Sequence, residues 1–475
     1  MKRAIIATIG LALTLTAASA QSPSSEDLAA RNIQRRAVEA VIWGMPAVNA
    51  DLMLQAMLKT TKAKPNEIIY WSKPVNWKNQ TLTPNPDSIY FMSFWNVKDG
   101  PVVIEIPPAK GGSIAGNIVN AWQMPLEDAG PFGADKGQGG KYLILPPGYK
   151  GRVPSGHIVL QSDTFSGFAL LRSNLPSHAD ADVAKSVAYG KQIKVYPLSA
   201  AKSPPPTNFV DAYDVLFDST IPFNARFYQS LDRVVQAEPW LDRDRAMIDQ
   251  LATIGIEKGK AFNPDQKTVA LLDQAAREAR ALLEERYDAG FPVINPGIRW
   301  FPAAMPEMVK AASGGYSDPN AYAVDARGVT YTLGFTGVKR LGTAQYYLMV
   351  ARDKDGQPLE GNVTYRLTVP ANAPVKQYWS ATVYDRETHA LVRNMPSASR
   401  ASISPGIQKN ADGSVDVYFG PKAPEGKDAN WVPTDPARKF ELLFRLYGPE
   451  KPLFDHSWKL PDVERLATTV GGATK

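Results

Sequence analysis

Apolar residues recur at helical spacing through Ile33, Val38, Val41 and Ile42, which predicts a helix over roughly 26–58. Ser24 or Ser25 can cap it, and Glu26 and Asp27 suit the positive N-terminal end. Trp43-Gly44-Met45-Pro46 interrupts the pattern and predicts a break into two helices. From about 66 to 200 the period changes to that of short strands punctuated by Gly and Pro. Val102, Ile104 and Ile106 alternate with Val103 and Glu105 until Pro107-Pro108 ends the run. Gly140–Leu145 ends in the same way at Pro146-Pro147-Gly148, and Ile158–Leu160 and Phe168–Arg172 supply two more strands. A Ser203-Pro204-Pro205-Pro206 linker then leads into a helical block from about 208 to 290. Its clearest helix is expected from Asn263, with Pro264 in the first turn, Gln266 completing a capping box and an apolar stripe through Leu272, Ala275, Ala279 and Leu283. After Gly314-Gly315 the strand period returns. Val363, Tyr365, Leu367 and Val369 alternate with Thr364, Arg366 and Thr368, and runs at Trp379–Val383, Val415–Phe419 and Phe440–Leu446 follow.

These elements predict an α+β, mostly β fold. N-terminal helices and a β-rich domain fill 21–205, a helical connecting segment 206–315, and an antiparallel β-sandwich of jelly-roll character 316–475. Val363, Tyr365, Trp379, Val383, Val417, Phe440, Leu442 and Phe444 are expected in the sandwich core.

The first twenty residues change the picture. Lys2 and Arg3 form a basic start, Ala4–Thr16 an apolar stretch, and Ala18-Ser19-Ala20 a small-residue cleavage site. The apolar run falls short of the roughly 20 residues a bilayer needs. The expectation is a signal peptide, export to the periplasm and a mature chain from Gln21, with no later stretch long and apolar enough to span a membrane. Removing Lys2 and Arg3 lowers the formal charge from +6 to +4 (53 − 2 basic against 47 acidic residues). The basic residues are scattered, which argues against a nucleic-acid partner. With no Cys in the chain there is no thiolate nucleophile, disulfide, iron–sulfur ligand or lipid-bearing cysteine. His157, His178, His389 and His456 lie far apart, which disfavours a zinc-hydrolase site. No haem or nucleotide motif is present, so the cofactor stays unassigned, and a carboxylate-bound divalent cation stays open.

Candidate chemistry concentrates in two segments. Tyr70 to Trp95 places seven aromatics in 26 residues around Thr83-Pro84-Asn85-Pro86-Asp87-Ser88-Ile89-Tyr90. Two prolines restrict this loop, so Asn85, Asp87 and Tyr90 are pre-positioned to line a small-molecule or carbohydrate pocket. The competing account is that Asn85 and Asp87 merely cap the turn. The second segment holds Trp122, Glu127 and Asp128, followed by Lys136; its adjacent acids suit cation binding or acid–base work, or simple solvation. Asp87, Glu127 and Asp128 are therefore the candidate catalytic residues, and Asn85, Tyr90 and Trp122 the candidate ligand-binding ones. A hydrolase or lyase of a small organic or carbohydrate-like compound, a non-catalytic binder, and an envelope assembly protein all remain open.

The ordered segments resemble a known pair of families, a domain of unknown function 1254 followed by a domain of unknown function 1214. The first resemblance rests on Trp43-Gly44-Met45-Pro46, Asn85-Pro86-Asp87-Ser88-Ile89-Tyr90, Gly100-Pro101-Val102-Val103 and Gly140-Lys141-Tyr142-Leu143-Ile144. The second rests on Asp355-Gly356, Gln377-Tyr378-Trp379-Ser380, Asp412-Gly413-Ser414, Asn430-Trp431-Val432-Pro433 and Arg445-Leu446-Tyr447. The chain departs from the commoner pattern at Met45 and at Gly111-Gly112-Ser113-Ile114, where an arginine and two phenols are replaced. The resemblance implies an exported two-domain protein with β-sandwich character, often a homo-oligomer, and brings no reaction with it.

Overall fold

The computed structural model describes residues 22–334, 337–340 and 344–466. The expected signal peptide and cleavage site lie outside them. The first helix, Ser25–Thr60, starts with a reciprocal capping box: Ser24 Oγ accepts from the Asp27 amide, and the Asp27 carboxylate accepts from the Ser24 amide.

That helix runs unbroken through Pro46, where a break was expected. Proline deprives the Ile42 carbonyl of its helical donor, at a cost of about 3 kcal/mol. Packing on every side of the helix outweighs it. Gly44 lies beneath Leu231, and Gly328 approaches so closely that a Cβ there would stand 2.9 Å from the Ile42 carbonyl oxygen. Gln123 Nε2 donates to the Pro46 carbonyl at 2.8 Å. The helix is also long and apolar enough to cross a membrane by length and composition, which corrects the expectation that no later stretch would be. Its apolar window is 83% buried inside the fold.

The N-terminal β-rich part is a sandwich. Its six-stranded sheet has the order Phe209–Asp211, Ile68–Tyr70, Ile89–Asn96, Ser166–Ser173, Ile114–Asn120, Pro125–Ala129. The four-stranded partner has the order Lys194–Pro197, Val102–Ile106, Gly140–Leu145, Ile158–Gln161. Phe91, Trp95, Ile104, Ile118 and Ile144 fill the space between them. Residues 209–211 and 217–218 were expected to be helical. They are strands instead, because each finds a parallel partner, Ile68–Tyr70 and Asn79–Gln80 respectively.

The helical block proper holds Ala225–Ala237, the short Arg245–Gln250 and Gln266–Gly290. Asp265 caps the latter by accepting from the Thr268 amide at 2.7 Å, in place of the expected box at Asn263. Helix Pro306–Ser313 falls within the segment expected to be helical, whereas Val324–Leu333 is a helix where strands alone were expected. The β-branched and glycine content of Val324–Leu333 hides it in the sequence. It is helical because it packs along Ser25–Thr60.

The C-terminal part is a second sandwich. Its five-stranded sheet has the order Phe301–Pro302, Gln345–Val350, Phe440–Tyr447, Trp379–Asp385, Ser399–Ala401, all antiparallel. The second sheet has the order Trp431–Pro433, Val415–Gly420, Tyr365–Val369, Glu464–Arg465. Tyr418–Gly420 pairs in parallel with 431–433, a departure from the fully antiparallel expectation. Tyr365, Trp379, Val383, Val417, Phe440, Leu442 and Phe444 are buried between the sheets as expected, while Val363 packs at the margin.

Each large sheet buries its second face as well. Tyr90, Met92, Phe94, Phe168 and Leu170 of the six-stranded sheet share one core with Met349, Tyr384 and Leu443 of the five-stranded sheet and with the helices. The two halves of the chain therefore meet through sheet faces.

Candidate functional site

Along Ser166–Ser173, alternation puts Phe168, Leu170 and Arg172 on the face turned away from the sandwich core. Along Phe440–Tyr447 it does the same for Glu441, Leu443, Arg445 and Tyr447. Each sheet thus sends one arginine into the contact between the halves. Arg172 is directly opposite Tyr90 in the strand register, and its guanidinium lies 5.3 Å from the centre of that ring. Arg445 is opposite Tyr347 and lies 5.1 Å from its ring and 5.5 Å from that of Tyr384. Arg445 is 1% exposed, whereas Arg172 remains partly accessible. Nε of both arginines is enclosed and has no hydrogen-bond partner among the described residues.

Tyr90, Arg172, Tyr347, Arg445 and Thr83 line a cavity of about 30 Å³, enough for one water or a small anionic group. Arg172, Tyr347 and Ala303 also form the wall of a larger cavity of about 460 Å³. The rest of that cavity is mostly apolar, with Pro302, Ala304, Pro306, Val309 and Phe454, while Asn117, Gln345 and Lys310 add polar groups.

The Asn-Pro-Asp loop does more than cap itself. Asn85 Oδ1 does accept from the Asp87 amide at 3.0 Å, as a turn cap would. Asn85 Nδ2, however, donates to Tyr447 at 2.7 Å, and the Asn85 amide donates to Tyr90 Oη at 2.8 Å. Arg445 donates to the Thr83 carbonyl at 2.7 Å, Tyr384 to that of Pro84 at 2.6 Å and Tyr378 to that of Asp87 at 2.9 Å. The Asp87 carboxylate is 1% exposed; it accepts from Ser399 Oγ at 2.8 Å and lies 3.0 Å from His178 Nε2. Of the loop residues expected at a pocket, Tyr90 lines the smaller cavity, while Asn85 and Asp87 sit behind it as its supports.

The second segment is placed differently. Trp122 packs against Trp43 in the helical core, the ring centres 4.6 Å apart and the planes tilted by 46°; its carbonyl accepts from Arg327 at 2.7 Å, and it lines neither cavity. Glu127 is paired with Arg340 and lies 3.4 Å from Lys339 Nζ. Burial raises its pKa, but the Arg340 bond, the Asp128 amide and Lys339 outweigh this and hold it below the ordinary value. Arg340 and Lys339 thus favour its ionised form. Asp128 accepts from Asn117 Nδ2 and from the amides of Lys339 and Arg340 at 2.8–3.0 Å. It joins Arg172 in lining a third cavity of about 40 Å³. Among the described residues no cluster of three or more acidic or histidine side chains is arranged to hold a metal.

Arg172, Tyr347, Tyr378, Tyr384, Arg445 and His178 were not among the site candidates drawn from the sequence. The available signal was a charge set inside a continuous apolar strand, Phe168-Ala169-Leu170-Leu171-Arg172 and Phe440–Tyr447.

A two-domain α+β protein with a cationic, phenol-lined cleft is the class defined by this geometry. The model of the protein family of unknown function DUF1254 matches residues 65–197, and that of DUF1214 matches 344–451. The chain belongs with the proteins that carry these two domains in this order. No curated protein matches it. Among solved structures it is similar to the VPA0106 protein of Vibrio parahaemolyticus, at 18% identity and a TM-score of 0.57 over 92% of this chain and all of that one. An uncharacterized protein from Burkholderia cenocepacia overlaps it at 12% identity and a TM-score of 0.40, over 92% of this chain and 94% of that one. The first of these shares the fold.

Proposed function

We propose that this protein, exported and trimmed after Ala20, binds a small organic anion with an apolar body in the cleft between its two β-rich halves. The observation that carries this reading is Arg172, which lines both the cavity of about 30 Å³ and the one of about 460 Å³. A guanidinium offers a planar fork to a carboxylate or phosphate, and an apolar surround strengthens that attraction. Pro302, Ala304, Pro306, Val309 and Phe454 supply the surface for the rest of the ligand.

Calorimetry with phenylacetate and octanoate as probes tests the reading. Binding to the wild type and a loss of roughly ten- to hundredfold in Arg172→Ala, the worth of a charge-assisted hydrogen bond, are expected. Equal affinity in the variant, or no binding to either protein, would sink it.

One observation favours a second reading, acid–base catalysis of the hydrolase or lyase type. The buried Asp87 carboxylate is positioned to orient the His178 ring, whose side chain is 24% exposed. Under that reading Asp87→Asn keeps the shape of the loop and abolishes turnover.

A further inference from the structure

We infer that Thr83 gives its hydroxyl to the anionic head of the ligand and so sets the affinity of the inner seat, a role that rests on the organic-anion reading. The argument starts from backbone strain. Thr83 has a φ of 39°, in the left-handed region that glycine and asparagine enter readily and a β-branched residue enters only at a cost. Among the described residues it is the one β-branched residue with a positive φ, whereas asparagine fills such positions at Asn66, Asn372 and Asn394. Pro84 adds to the strain, because a residue before proline is pushed toward extended backbone.

Backbone contacts hold this conformation without calling for threonine. The Thr83 amide donates to the His389 carbonyl at 2.7 Å, and the Thr83 carbonyl accepts from Arg445 at 2.7 Å. A glycine would make both bonds and enter the same conformation freely. What threonine adds is its side chain, and Thr83 lines the cavity of about 30 Å³ with Tyr90, Arg172, Tyr347 and Arg445. Its hydroxyl oxygen lies beside Gly334 of the same wall, where a Cβ would stand 3.0 Å from it. Among the described residues that hydroxyl has no hydrogen-bond partner. A strained residue whose polar group is idle within the fold has the character of a ligand clamp.

The surrounding groups define what the hydroxyl would meet. Tyr90 Oη accepts from the Asn85 amide at 2.8 Å, which leaves its own proton to point elsewhere. Arg172 and Arg445 bring N–H groups, and Nε of each lacks a partner among the described residues. No described carboxylate lines this cavity. The acids nearby are engaged elsewhere, Asp87 with His178 and Asp128 with Arg340. A wall of donors calls for an acceptor, and a carboxylate head brings two oxygens with several lone pairs.

The test measures phenylacetate and octanoate binding by calorimetry in the wild type and three variants, with a thermal melt of each. Thr83→Val keeps the shape and the branching, so it should melt with the wild type. It should bind about tenfold more weakly or worse, the worth of a hydrogen bond to a charged group. Thr83→Ser keeps the hydroxyl and should bind as the wild type does. Thr83→Gly should lose affinity to the same extent as Thr83→Val yet melt no earlier than the wild type, since glycine is at ease in the left-handed region. A Thr83→Val protein that binds as tightly as the wild type overturns the inference and leaves organic-anion binding standing. So does a Thr83→Gly protein that melts well below the wild type, because packing would then account for the threonine. Failure of the wild type to bind either probe overturns the organic-anion reading and this role with it.

Discussion

At the scale of single residues, the pair His389–Glu441 sets how the protein should respond to alkali. His389 Nδ1 lies 2.7 Å from Glu441 Oε1, Tyr287 donates to Glu441 Oε2 at 2.7 Å, and Glu284 lies 3.7 Å from the other ring nitrogen. Burial alone would lower the imidazole, but Glu441 and Glu284 outweigh it and push it up to about 9. A raised folded-state value means stability that is fully present below the unfolded value of 6.5 and lost as pH rises through 9. Denaturant titrations should therefore give a falling unfolding free energy across that window, and His389→Gln should flatten the fall. Glu284 works in the opposite sense. Burial opposes its ionisation, but His389 and Arg386 bring it down to about 2, so its share is present above 4.5 and disappears as pH falls through 2. None of this could be read from spacing, since Glu284, His389 and Glu441 come from a helix, a turn and a strand. The same holds for the arginines of the cleft. Tyr90 was legible because prolines and aromatics mark its loop, but its two cationic partners come from strands about 80 and 350 residues further on.

At the scale of elements, period and turn chemistry made the C-terminal strands readable: Tyr365–Val369 and Val415–Gly420 keep the expected apolar face inward. Failures fell where tertiary packing decides. Residues 209–211 form a strand only because Ile68–Tyr70 offers an edge, and the first helix survives Pro46 only because other helices enclose it. That enclosure makes a prediction with a reversed sign. Replacing a mid-helix glycine by alanine ordinarily stabilises a helix by about 1 kcal/mol. At Gly328 the new methyl would stand 2.9 Å from both the Ile42 carbonyl oxygen and Ile42 Cγ2. Gly328→Ala should instead destabilise by about 1–3 kcal/mol, as overpacking does, and a thermal melt with an unchanged or raised midpoint would contradict the packing account.

At the scale of the whole molecule, the proposed export makes a prediction of its own. Under it the mature chain should begin at Gln21, because small side chains at Ala18 and Ala20 suit signal peptidase. Ala20→Arg should block trimming, and intact-mass measurement of the periplasmic fraction reads the outcome; soluble protein retaining Met1 would refute export by this route. The loop from Thr83 to Asp87 has a consequence for timing. It is fastened to the C-terminal sheet through Arg445, Tyr384, Tyr447, Tyr378 and Ser399, each within 2.9 Å. Such stitching denies the two halves the hinge motion by which many two-lobed receptors open and shut around their cargo. Arrival of a ligand would then be a one-step event governed by diffusion through a standing aperture, and its residence time by how firmly Arg172 holds it.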